Sequence, residues 1–331
     1  MKKSIVIALC ALAALMLLAL PFLVPSGSML SDYQEQWMDM LWEEDALLRL
    51  LIPTANAEEA PASLPIDFTP GMTPNPDAYT EEGYEDESIT VALETREEEG
   101  VVWRIARIRI QDPSQLRTGI AGSKVTSDKT TLVSSMAQKY HAVVAFSGDY
   151  YTDNPAKTSF EYRMGVRIRN QRNNIKDILI IDQNGDFHTF IKSDADKMNA
   201  FNASGLEIVN AFTFGPALVS EGNLVTCDMG YGYNPDGMEP RMAIGQLGPL
   251  EYVVVLAEGR NKKSEGVDHQ TLANFMFDLG CLEAYNLDGG NTATFVWNGG
   301  YYQTSRTDTN ARPQSDCIYF ATTVDPATWS K

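Results

Sequence analysis

The chain has only three histidines and four cysteines in 331 residues, and its 26 Lys and Arg are outnumbered by 44 Asp and Glu. Each shortage excludes something. A formal net charge of −18 argues against nucleic acid as a partner, because such binders carry basic patches. His141, His188 and His269 are scattered and fit no metal-ligand spacing, so each reads as a satisfied or exposed side chain. No metal and no cofactor is expected. Outside the N-terminal apolar run, which holds Cys10, stand Cys227, Cys281 and Cys317. An odd number at wide spacing is neither a disulfide framework nor a zinc signature. They read as small buried hydrophobes, with one disulfide open to them in an oxidising compartment. Also missing are a GxSxG elbow, a P-loop, an HExxH helix and any repeat period.

Long hydrophobic runs are scarce too, and the one present is at the start. Lys2 and Lys3 precede an apolar stretch from Ile5 to Val24, broken only by Pro21. It is near the ~20 residues that span a bilayer. Ser26-Gly27-Ser28 offers small residues to a signal peptidase. Residues 1–28 are therefore expected to be a signal anchor or a signal peptide. The first gives a single span in the cell membrane with the rest outside the cytoplasm, and the second a secreted protein.

Residues 29–52 carry Trp37, Leu41, Leu48 and Leu51 at helical spacing before Pro53, which predicts an amphipathic juxtamembrane helix. Residues 53–88 are rich in Pro, Ala, Thr and acids, a composition too poor in apolar surface to fold alone, and read as a linker. Residues 89–331 are expected to form the globular domain. "VVWRIARIRI" (101–110) alternates as a half-buried strand does. Further strands are predicted over 160–168, 177–182, 187–192, 207–213, 241–245, 251–257 and 316–323. Helices are predicted from Lys129 to Tyr140, capped by Ser127 or Asp128, and from Asp268 to Leu279, with Gly280 as stop. Many strands and few helices predict an α+β fold with a mixed, twisted sheet.

Chemistry is sought at the strand ends. Each predicted helix leads into an apolar strand that ends in a Gly/Asp turn: Ser147-Gly148-Asp149 and Asp288-Gly289-Gly290. The glycine pair allows close approach of a ligand to the backbone, and the amides of Gly290, Asn291 and Thr292 are candidates to face it. A plain surface turn reads the same way. Arg241 lies on one strand, and Glu258-Gly259-Arg260 closes the next. An arginine fork suits carboxylate or phosphate oxygens, and a structural ion pair with a neighbouring acid is the other reading. Arg312, before the last strand, is a further candidate against a solvated role.

In order along the chain, "FSGDYY" (146–151), "FGPALVSEG" (214–222), "RMAIG" (241–245), "EGR" (258–260), "NLDGGNTAT" (286–294) and "RPQSD" (312–316) resemble the phosphodiester glycosidase family. The likeness runs over about residues 120–323. Ser147 stands where the family has Asn, Asp149 where a second Gly is common, Glu258 for Asp, Asn291 for a third Gly and Ala293 for Ser.

The resemblance implies hydrolysis of the bond between a sugar's anomeric carbon and a phosphodiester oxygen, in an envelope or exopolysaccharide glycoconjugate. It casts Asp288, Glu258 and Asp149 as the carboxylates, and Arg241 and Arg260 as phosphate clamps. Ser147–Asp149 and Asn286–Thr292 would line the same cleft. Such hydrolysis ordinarily takes two carboxyl groups. A phosphate leaving group needs little protonation, and arginines neutralise its charge. The alternative is a non-catalytic, membrane-tethered module that binds or assembles polysaccharide.

Overall fold

The computed structural model describes residues 62–149, 159–232 and 234–329, all within one compact unit spanning Pro61–Lys331. The expected membrane segment, the juxtamembrane helix and the start of the linker lie outside the described residues. Among the described residues no helix is long and apolar enough to cross a membrane.

The chain first forms β1 (Gly83–Glu85), β2 (Ile89–Glu98), β3 (Val101–Ile110) and β4 (Leu116–Ile120). Helix α1 (Val133–Lys139) leads into β5 (Val144–Ser147). Then come β6 (Phe160–Arg163), β7 (Val166–Asn170), β8 (Ile178–Asp182) and β9 (Phe187–Phe190). Helix α2 (Ala195–Ala203) precedes β10 (Ile208–Phe212). Next are β11 (Ala217–Ser220), β12 (Asn223–Leu224), β13 (Arg241–Gly248) and β14 (Glu251–Ala257). Helix α3 (His269–Asp278) leads to β15 (Glu283–Leu287), followed by β16 (Phe295–Trp297), β17 (Gly300–Tyr301) and β18 (Asp316–Phe320).

These strands make three open sheets, ordered β1-β2-β3-β14-β13-β15-β11-β12, β7-β6-β10-β8-β9 and β17-β16-β5-β18-β4. The expectation of one mixed sheet is corrected: every strand pairing here is antiparallel. The predicted strand over 160–168 is in fact the β6–β7 hairpin.

Side chains alternate between two buried layers. On β3, Ala106, Ile108 and Ile110 face a core shared with Phe146, Ile244, Leu256, Tyr285 and Phe320 of the other strands. Trp103 and Ile105 point the other way, under α3 with Leu272 and Met276. Helix α1 covers the sheet holding β5 and β18 through Met136 and Tyr140. Helix α2 covers β8 and β10 through Met198 and Phe201. Burying such a side chain contributes ~1.5–3 kcal/mol. Helix α3 has the predicted cap, the Asp268 carboxylate accepting from the Thr271 amide at 2.6 Å. Helix α1 starts later than predicted, at Val133, after Leu132 and without a side-chain cap. Cys227, Cys281 and Cys317 are all buried and free, so the disulfide left open above is not formed among them.

Residues 62–88 are not a free linker. Leu64 is buried, the Gly71 amide donates to Tyr140 O at 3.1 Å, and the Met72 amide donates to Thr322 O at 3.2 Å. The buried Arg117 guanidinium of β4 donates to the carbonyls of Pro65 (3.0 Å), Asp67 (2.9 Å), Thr69 (2.9 Å) and Ser114 (3.0 Å). Composition weighs apolar side chains and misses a backbone gathered by one buried arginine.

Candidate functional site

The two Gly/Asp turns do meet. Strands β5 and β18 are neighbours, with Cys317 opposite Ser147, and the Asp288 amide donates to Gly148 O at 3.1 Å. Gly148 has no room for a side chain, since a Cβ there would stand 2.5 Å from an Asp316 carboxylate oxygen. Below the turns lies Arg163 of β6, wholly buried. It donates to Asp149, to Asp316 at 2.9 Å, to Glu161 at 3.4 Å and to the Tyr162 carbonyl at 2.8 Å, over the Phe212 ring. Asp149 also accepts from the Thr213 amide at 3.1 Å.

One guanidinium thus serves three buried carboxylates, with Asp288 beside them. Burial raises the Asp288 carboxyl to about 7, helped by the negative charges of Asp149 and Asp316, while the Thr292 hydroxyl and Arg312 pull it down. Burial raises Asp316 as well, against the pull of Arg163. Carboxyl groups that exchange protons near neutrality are what acid–base chemistry requires.

The loop after Asp288 is locked by donors from several elements. Gly289 O accepts from the Thr292 amide (2.9 Å), and Thr292 O from the Ser147 hydroxyl (2.7 Å), Thr294 (2.8 Å) and Gln314 (2.9 Å). Ala293 O accepts from Gln303 (2.9 Å) and Arg306 (3.1 Å). Gly289 packs on the start of β13, where a Cβ would meet Pro240 O at 2.6 Å, and Gly290 takes a φ of +57°. Such a loop holds a neighbouring reactive group in place.

Beside this loop opens a polar cleft of about 380 Å³, lined among others by Glu258, Arg260, Asn291, Gln303, Arg306 and Asn310. The exposed Arg260 grips Glu239 through Nε (2.6 Å) and Nη2 (2.5 Å) and donates to Asn291 Oδ1 at 2.7 Å. Glu258 accepts from Arg104 Nε at 2.8 Å and from the Thr304 amide at 3.4 Å. The cleft wall includes Gly290 and Asn291 but not Asp288, which precedes Gly290 by two residues.

Several sequence-based assignments change. The Arg241 guanidinium is no open phosphate clamp: buried, it donates to Val267 O (3.1 Å), Asn234 O (2.6 Å) and Gly237 O (3.1 Å) and meets His269 Nε2 at 2.9 Å. Burial lowers the proton affinity of both groups, His269 to about 3, where the nearby Arg241 charge also acts. Its described partners are backbone carbonyls and an imidazole, where the alternative reading expected a neighbouring acid. Ser147 supports the loop from below, its hydroxyl accepting from the Thr294 amide at 2.9 Å, and does not face a ligand. The Gly290 and Thr292 amides donate to Pro240 O (2.7 Å) and Gly289 O, so they are not aimed at a ligand either. Asn286 is buried and donates to Gly215 O at 2.7 Å. Asp149 is buried and is an ion-pair partner of Arg163. Arg312 stays exposed, close enough to act on Asp288.

Arg241→Met is expected to destabilise the fold by ~2–4 kcal/mol, because three carbonyls and His269 lose their donor. Chemical denaturation checks this. An unchanged midpoint together with impaired ligand binding would return Arg241 to the ligand site.

Sequence reasoning missed Arg163, Glu161, Asp316 and Arg306. Only Asp316 left a signal, as the last residue of the "RPQSD" stretch at the start of a strand whose neighbour ends at Ser147, just before Gly148.

Residues 140–321, more than half of the chain, match the family described as Phosphodiester glycosidase. The SPbeta prophage-derived uncharacterized protein YomE of Bacillus subtilis (strain 168) is 30% identical over 92 residues, 28% of this chain. The match spans only 14% of that relative's length. Among solved structures, the zebrafish N-acetylglucosamine-1-phosphodiester alpha-N-acetylglucosaminidase catalytic domain, auto-inhibited by its pro-peptide, is similar with a TM-score of 0.54 at 16% identity. That similarity covers 76% of this chain and 87% of the zebrafish chain and shows a shared fold. A hypothetical protein from Synechocystis follows at a TM-score of 0.49 and 15% identity, over 70% of this chain and 62% of that one. With the ordered motifs, the fold and the family match in agreement, the chain belongs to the phosphodiester glycosidase family.

Proposed function

We propose that this chain hydrolyses the bond between a sugar's anomeric carbon and a phosphodiester oxygen in an extracytoplasmic glycoconjugate, an envelope or exopolysaccharide polymer. The N-terminal apolar run would place it in the cell membrane, or export it if cleaved. The observation that carries this reading is the placement of Asp288. It directly follows β15, an interior strand of its sheet, its loop is locked, and an arginine-lined cleft opens two residues away.

In this reading water attacks the anomeric carbon and the carbon–oxygen bond to phosphate breaks. Asp288 accepts the water's proton, and the phosphate monoester leaves with its charge met by guanidinium groups. With the Asp288 carboxyl raised to about 7, the ionised base forms as pH rises through that value. Glu258, tied to Arg104, shapes the cleft.

A second reading, a polysaccharide-binding or assembly module without catalysis, draws on one observation: Asp149 and Glu258, two of the three expected carboxylates, are occupied by Arg163 and Arg104. A release assay with the purified chain and a synthetic sugar-1-phosphodiester separates the two. The glycosidase reading expects free sugar, at a rate that climbs as pH passes about 7. Absence of release between about pH 5 and 9, with polymer binding intact, would give the lead to the binding module.

A further inference from the structure

The charges around the cleft balance at every position but one. Arg260 is matched by Glu239 and Glu258 by Arg104. Arg306 has no ion pair among the described residues. Its Nη atoms donate only to the carbonyls of Asn310 (3.0 Å), Ala293 (3.1 Å) and Gly290 (3.5 Å). Its Nε is buried without a hydrogen-bond partner. An unmatched guanidinium with an unused donor costs free energy in a partly dry site unless an anion completes it. Burial lowers its proton affinity and the positive Arg260 adds to this, against the raising pull of Tyr301 and Glu258.

The side chain is also held in place. The Thr307 amide donates to Asn310 Oδ1 at 2.8 Å, and the Asn310 amide group donates to Ser305 O at 3.1 Å, closing the turn that carries Arg306. The same turn braces Gly290 and Ala293, so Arg306 links the cleft to the loop that follows Asp288.

We infer that Arg306, flanked by Arg260, receives the phosphate of the substrate in this cleft. Arg306 is a binding residue that sets preference for a phosphate leaving group. The inference rests on the glycosyl phosphodiester reading for its substrate, but its test does not need turnover.

Inorganic phosphate is the probe, titrated into the full chain by calorimetry. Arg306→Gln is expected to weaken binding by ~10–100-fold, the loss of a charge-assisted pair. Arg306→Lys, which keeps the charge but not the fork, should fall between the two. The lysine variant also decides the matter if the glutamine variant does not fold. Phosphate bound equally well by wild type and either folded variant, or not bound by wild type at all, overturns the inference. In turnover, Arg306→Gln should lose more on a phosphodiester than on a glycoside with an uncharged leaving group. Arg306-dependent phosphate binding without sugar release would sink the glycosidase reading and leave the phosphate site standing. Sugar release from a phosphodiester that Arg306→Gln leaves unaltered would do the reverse.

Discussion

Asp288→Asn is expected to lower turnover on a glycosyl phosphodiester by ~10²–10⁴ while the substrate still binds. Asparagine keeps the shape and hydrogen-bonding reach of the side chain but cannot take a proton. The fold should tolerate the change. In the folded chain the carboxyl is raised to about 7, against about 3.9 for an unperturbed aspartate. The folded state therefore binds more protons across that interval. The stability this provides is complete below about pH 4 and is lost as pH rises through about 7. A neutral asparagine removes that loss, so above about pH 7 the variant should melt at or above wild type, with a flatter dependence of Tm on pH. Asp149, Asp316 and Arg312 set the wild-type slope from around the site. Normal turnover, or a Tm far below wild type, would show that the Asp288 turn is only structural.

Arg163→Met should do the opposite and abolish the fold near neutral pH. The methionine fills similar space but leaves Asp149, Glu161 and Asp316 buried without their shared cation. Removing one partner of a buried pair costs ~3–5 kcal/mol, and here one residue serves three. That is comparable with the whole stability of many domains, ~5–15 kcal/mol. Acidification, which protonates the carboxyls, should restore part of the lost structure. Circular dichroism against urea at two pH values reads this directly. A variant as stable as wild type at neutral pH would show that the carboxylates do not depend on Arg163.

Strand periodicity, the Asp268 cap and the approach of the two Gly/Asp turns could be read along the chain because each is local or repeated in a known order. The partition into three sheets could not. It rests on pairings such as β3 with β14 and β18 with both β4 and β5, which bring distant segments together. Helix α2 buries only Met198 and Phe201, too few to mark a stripe. Arg163 and Arg306 looked like ordinary polar positions, one on a strand and one in a turn. Their roles come from what surrounds them in space, the carboxylates of Asp149 after β5, Glu161 on β6 and Asp316 on β18 for the first and loop carbonyls for the second. Arg241 drew notice as an arginine on a buried strand, but the described partners that hold it are backbone oxygens and His269, which no residue pattern displays.

The seizure of residues 65–69 by Arg117 bears on working distance. If residues 62–88 were slack, at ~3.4 Å per extended residue they would let the domain sit on the order of 90 Å farther from the segment that precedes them. Strapped to β4 they supply none of that range. Any slack on the N-terminal side must then come from residues before 62, and the folded unit starts at the Arg117-bound stretch rather than at residue 89.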